Sequence, residues 1–171
     1  MTRPEISPPI RVLEGSELSL PRAALIELMQ AALAKGAPFR FRAKGWSMAP
    51  FIRDGDVICV TPLPEAGPAV GEVVAFIRAE SGQLLVHRVI ARERGAYTIQ
   101  GDNAPGAADA TVLREDMLGR VTQITRNGKD VGLGLGPERR LIAVLSRAGW
   151  LLPVRLRLAP LLRPFVRWFV R

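Results

Sequence analysis

One histidine, one cysteine, one tyrosine and no apolar stretch long enough to cross a bilayer set the first limits on this chain. A lone cysteine, Cys59, cannot close an intrachain disulfide, so nothing requires an oxidising compartment. One imidazole and one thiol in 171 residues are too few ligands for a histidine/cysteine metal centre. Phosphate-binding glycine loops, zinc-ligand patterns and dinucleotide fingerprints do not occur, so no cofactor is expected. Residues 1–20 carry prolines and mixed charge in place of the apolar core of a secretory signal.

What is present agrees with one compact domain and an unusual end. At 48% hydrophobic content the chain can bury an ordinary core. The formal charge of +8 is concentrated in residues 138–171, which hold eight arginines against one acid, Glu138. The remaining residues hold sixteen bases and fifteen acids, a near-neutral balance unlike the basic face of a nucleic-acid-binding domain. In the tail, arginines interrupt every apolar run, from Arg147 through Arg155, Arg157, Arg163 and Arg167 to Arg171. None of those runs approaches the ~18–20 residues a membrane-spanning helix needs. Arginine beside Trp150, Phe165, Trp168 and Phe169 is the composition of a segment lying on an anionic membrane surface. Packing back on the domain, or docking on a partner protein, are the other uses of such a tail.

Residues 22–34 predict a helix, with Pro21 at its start, Gly36 at its end, and Leu25, Ile26, Leu28, Met29 and Leu33 spaced as an apolar face. Segments 38–44, 57–60, 73–77, 84–90, 97–100 and 118–125 favour strands, being rich in β-branched residues and bounded by glycine, proline or charge. Residues 54–56 and 79–83 read as hairpin turns, and Gly132 to Pro137 as a flexible joint. The expected fold class is mainly β, a compact antiparallel β domain with peripheral helices. Its organisation is an N-terminal extension and helix (1–36), a β domain (37–131), then the joint and the basic amphipathic tail (132–171).

Three boxes carry the chemistry. Ser47, in Gly45-Trp46-Ser47-Met48-Ala49-Pro50, puts a hydroxyl on a tight turn, because Pro50 fixes the local backbone. His87 lies in Leu85-Val86-His87-Arg88-Val89-Ile90, where it can serve as base on a strand. The stretch from Gly101-Asp102-Asn103 to Asp109 offers a carboxylate to orient that imidazole. Imidazole titrates near ~6.5, so it accepts a proton at neutral pH once its tautomer is fixed. Each residue also has a plainer role open to it: Ser47 and Asp102 as turn residues, His87 as a satisfied strand histidine, and Cys59 as a small buried residue.

Taken in order, these boxes resemble the signal peptidase I superfamily over roughly residues 40–126. Further matching segments are Arg53-Asp54-Gly55-Asp56-Val57, Val70-Gly71-Glu72-Val73-Val74-Ala75-Phe76 and Leu118-Gly119-Arg120-Val121. The commoner bacterial members, and the LexA-type self-cleaving repressors that share the fold, carry lysine where His87 stands. This chain therefore resembles the serine–histidine branch of endoplasmic reticulum and archaeal enzymes. The resemblance implies a serine endopeptidase acting on a peptide or precursor protein, with Ser47 as nucleophile and His87 as base. It favours Asp109 as the orienting carboxylate and leaves Asp102 to hold the loop or share the task. Many members carry a serine two residues before the nucleophile as an oxyanion donor; here Gly45 stands there.

The expected location is cytoplasmic, peripheral on the inner membrane surface, since no anchor precedes the helix. Two alternatives share the fold: a non-catalytic peptide- or partner-binding module, and a LexA-like self-cleaving regulator.

Overall fold

The computed structural model describes residues 21–104 and 110–148. They form α1 (Arg22–Ala34), β1 (Phe39–Arg42), β2 (Val57–Thr61), β3 (Val73–Arg78), β4 (Gln83–Glu93), β5 (Ala96–Gln100), β6 (Ala110–Leu113), β7 (Met117–Arg126), β8 (Lys129–Asp130) and α2 (Arg139–Arg147). A single 3-10 turn over Arg114–Asp116 leads into β7. All strands join one antiparallel sheet in the order β1-β2-β7-β3-β4-β5-β6, with β8 paired to β7. The mainly β class with peripheral helices is therefore what the chain adopts.

The sheet carries a core on each face. In β3, Val73 and Ala75 enter one cluster with Met29, Leu33, Ile58 and Ile124, while Val74 and Phe76 enter a second with Tyr97 and Ile99. This follows from the two-residue alternation of a strand. It explains why residues 73–76 are uninterruptedly apolar: a central strand covered on both faces has no polar side to show. Register shifts at Cys59/Val60, Ala75/Phe76 and Val89/Ala91 mark bulges, which bend and twist the sheet.

The helix over 22–34 forms with those bounds, burying Met29 and Leu33 against the first cluster. Gly36, at φ 74, closes it with its N–H on Leu33 O at 3.0 Å. One feature differs from expectation. The joint after residue 131 is held in place: Gly134 O accepts from Arg88, and the N–H groups of Gly134 and Gly136 donate to Glu138 Oε1 at 2.6 and 3.1 Å. The first part of the basic tail, Arg139–Arg147, is a helix packed on the domain through Ile142, Ala143 and Ser146. Residues 149–171 lie outside the described residues, as does Asp109.

Candidate active site

The Ser47 turn is built by its neighbours. Met48, Ala49 and Ile52 are buried, so the loop is pinned to the core while Ser47 stays exposed at its tip. Backbone bonds from Ala49 N–H to Trp46 O and from Ile52 N–H to Met48 O, each 3.1 Å, close the turn, and the Ala49–Pro50 peptide is cis. Gly45 holds φ 95, a left-handed conformation that glycine adopts without steric cost, and its N–H donates to Asp54 Oδ1 at 2.8 Å.

His87 arrives from the middle of β4, buried, with Phe76 of β3 beside its ring at 6.0 Å between centroids. Its Nε2 lies 2.9 Å from Ser47 Oγ. With the ring hydrogen on Nδ1, the serine hydroxyl donates to Nε2, the arrangement a general base requires. Two residues remote in sequence, one on a turn and one on a strand, thus meet at hydrogen-bond distance.

The segment after β5 locks this pair. Asn103 N–H donates to Ser47 O at 2.7 Å, tying the two loops together. Gly101 sits so close that a Cβ there would fall 2.8 Å from Ser47 O and 3.3 Å from His87 Nε2. Only a residue without a side chain fits.

Asp102, on the loop after β5, is paired with Arg88. Its carboxylate is buried and receives Arg88 Nε on Oδ1 at 2.8 Å and Arg88 Nη2 on Oδ2 at 2.7 Å. Burial pushes the Asp102 carboxyl above its ordinary value; the Arg88 fork and the nearby His87 pull against that. Arg88 also donates through Nη1 to Gly71 O at 2.7 Å and to Gly134 O at 2.8 Å, and its guanidinium lies over the Phe51 ring. Four segments, β4, the 101–104 loop, the loop before β3 and the segment before α2, therefore converge on one buried cation.

Arg88 is the site residue that sequence reasoning passed over. The available signal was a cation directly after the histidine in an otherwise apolar strand. Because neighbouring residues of a strand leave opposite faces, His87 serves one side of β4 and Arg88 the other. Among the described residues, no cluster of histidine, cysteine, aspartate and glutamate is placed to hold a metal ion.

Beside Ser47 opens a cleft of about 400 Å³. Its walls are the end of β1 with the loop that follows it (Phe41 to Gly45), the start of β4 (Leu84 to Val86), and Arg22 and Leu25 of α1. Among the described residues β1 is an edge strand, so one of its backbone edges faces away from the sheet, as in domains that bind extended peptides.

The fold thus holds a hydroxyl against an imidazole at the mouth of a cleft on an antiparallel β scaffold. The chain is a member of the Peptidase S24-like family, whose model matches residues 14–122, within the LexA/signal peptidase superfamily. No curated protein is similar enough to this chain to count as a match.

Proposed function

We propose that this protein is a serine endopeptidase of the signal-peptidase-like, serine–histidine kind, cleaving a peptide or precursor protein without a cofactor. The observation that carries the reading is the 2.9 Å contact between Ser47 Oγ and His87 Nε2 at the mouth of a cleft. Ser47 Oγ attacks the scissile carbonyl while His87 takes its proton; the same imidazole then protonates the departing amine. Water, activated by His87, releases the acyl group. Asp109 remains the proposed orienting carboxylate, and Arg88 with Asp102 holds the loop that braces Ser47.

The histidine favours this reading over a LexA-like regulator, whose relatives use lysine at that position. Incubating the purified chain alone separates the two: accumulating fragments that Ser47→Ala abolishes would establish self-cleavage. The endopeptidase reading is tested by acylation with a panel of β-lactam-type and phosphonate serine probes. Stoichiometric modification, lost in both Ser47→Ala and His87→Ala, is expected. A folded protein that no probe modifies would leave a peptide-binding module.

We also propose that the protein contacts an anionic membrane surface through α2 and the basic residues that follow. Support comes from the outer side of α2, where Leu141 and Val144 are each 62% exposed between the exposed Arg140 and Arg147. No helix of the described residues is long and apolar enough to cross a membrane.

A further inference from the structure

The cleft beside Ser47 has an electrostatic bias that the serine–histidine chemistry does not require. Arg22, Arg42 and Lys44 line it, all exposed, and among the described residues no carboxylate does. Asp54, outside the lining, already accepts the Gly45 N–H. The remaining walls are apolar, with Leu25, Phe41, Met48, Ile52, Leu84 and Val86 presenting a surface for small or aliphatic side chains. Arg42 donates to Gly55 O at 2.9 Å, which leaves Arg22 and Lys44 to set a positive potential beside one apolar trough, where a bound chain passes the nucleophile. A cleft lined by one sign of charge concentrates ligands of the other.

We infer that the cleft selects an acidic peptide: an extended segment with aspartate or glutamate within about three residues of the bond presented to Ser47. This rests on the same cleft as the proposed function and names its substrate class. The rise of ~3.3 Å per residue in an extended chain spreads such carboxylates between Lys44 and Arg22. Because Arg22 and Lys44 are exposed, each adds modestly and is screened by salt, so the selectivity takes the form of a several-fold preference.

Binding to Ser47→Ala protein tests this independently of catalysis. The probes are two fluorescein-labelled decapeptides, identical except for two glutamates or two glutamines flanking a central pair of small residues. By fluorescence anisotropy at 50 mM salt, the glutamate peptide is expected to bind about threefold to tenfold more tightly. The gap should shrink at 500 mM salt and close in Arg22→Gln/Lys44→Gln, with the thermal midpoint reporting that this variant is folded. Lys35→Gln/Lys129→Gln, which removes two charges outside the cleft, should keep the gap. Equal affinities for the two peptides, no binding of either, or a gap that survives loss of Arg22 and Lys44 would overturn the inference. Serine-probe acylation of the unmodified protein reports separately on the endopeptidase reading, so either idea can fail alone.

Discussion

Gly101 shows how little room surrounds the serine–histidine pair. A methyl group there would press on the Ser47 carbonyl from 2.8 Å, and that carbonyl already accepts Asn103 N–H. Relief requires the Ser47 turn or the 101–104 loop to retreat, which lengthens the Oγ–Nε2 contact. Gly101→Ala is therefore expected to slow serine-probe acylation by about 10²-fold, since displacement of about 1 Å at a reacting group has that effect. Overpacking should remove about 1–3 kcal/mol of stability, leaving a folded protein whose melting curve shows the smaller loss.

Arg88 and Asp102 call for a paired test at the same scale. Removing either partner strands a buried charge, so Arg88→Met and Asp102→Leu should each cost about 3–5 kcal/mol in urea unfolding. The double variant should lose less than the sum of the two, because an apolar pair leaves no charge uncompensated. Additive losses would mean that the two side chains act independently.

At the scale of elements, Asp56 joins the turn after Ser47 to β7. Its carboxylate receives Arg126 Nε and Nη2 at 2.8 and 2.7 Å and Arg53 N–H at 2.8 Å, while Arg126 also caps Phe51 O. Burial alone would raise the Asp56 carboxyl, but these donors outweigh it and hold the group below its ordinary value. A depressed folded value means that the contribution is complete above the unfolded carboxyl value near ~3.9 and disappears as pH falls through the lower, folded one. Asp56→Asn should therefore reduce stability at pH 7 and flatten its decline between about pH 5 and 2. Chemical denaturation across that range checks both.

All six strand segments legible in the sequence form: 57–60 and 73–77 are marked by continuous apolar residues, and 38–44, 84–90, 97–100 and 118–125 by alternation or β-branched residues between turn signals. The helix at 22–34 was marked by its proline and glycine ends. Segments β6 and β8 were not legible, because Ala110–Leu113 is short and Lys129–Asp130 is polar; both exist by pairing to β5 and β7. Ser47 and His87 could be named from their boxes. The Asp102 partner could not, because it depends on β4–β5 register, which sets Arg88 opposite Gln100 and brings the next loop onto the guanidinium. Asp54-Gly55-Asp56 read correctly as a turn, yet nothing local announced that Asp56 would reach a partner seventy residues away.

For the whole molecule, charge and apolar surface coincide at one end. α2 buries Ile142, Ala143 and Ser146 on the domain, and its other side carries Leu141 and Val144 between Arg140 and Arg147. The residues that follow add five more arginines and no acid. Arginines near an anionic bilayer contribute about 1 kcal/mol each, while neutral lipid offers only the apolar contribution. Sedimentation with phosphatidylcholine vesicles containing one-quarter phosphatidylglycerol should therefore bring down the full chain, and pure phosphatidylcholine should not. Leu141→Glu/Val144→Glu adds two carboxylates to the outer side of α2 without touching its packed side, so the fold should persist and binding should fall about tenfold or more. Equal recovery on both vesicle types would show that charge does not direct the contact. Undiminished binding of the double variant would remove α2 from the docking surface and leave residues 149–171 to account for it alone.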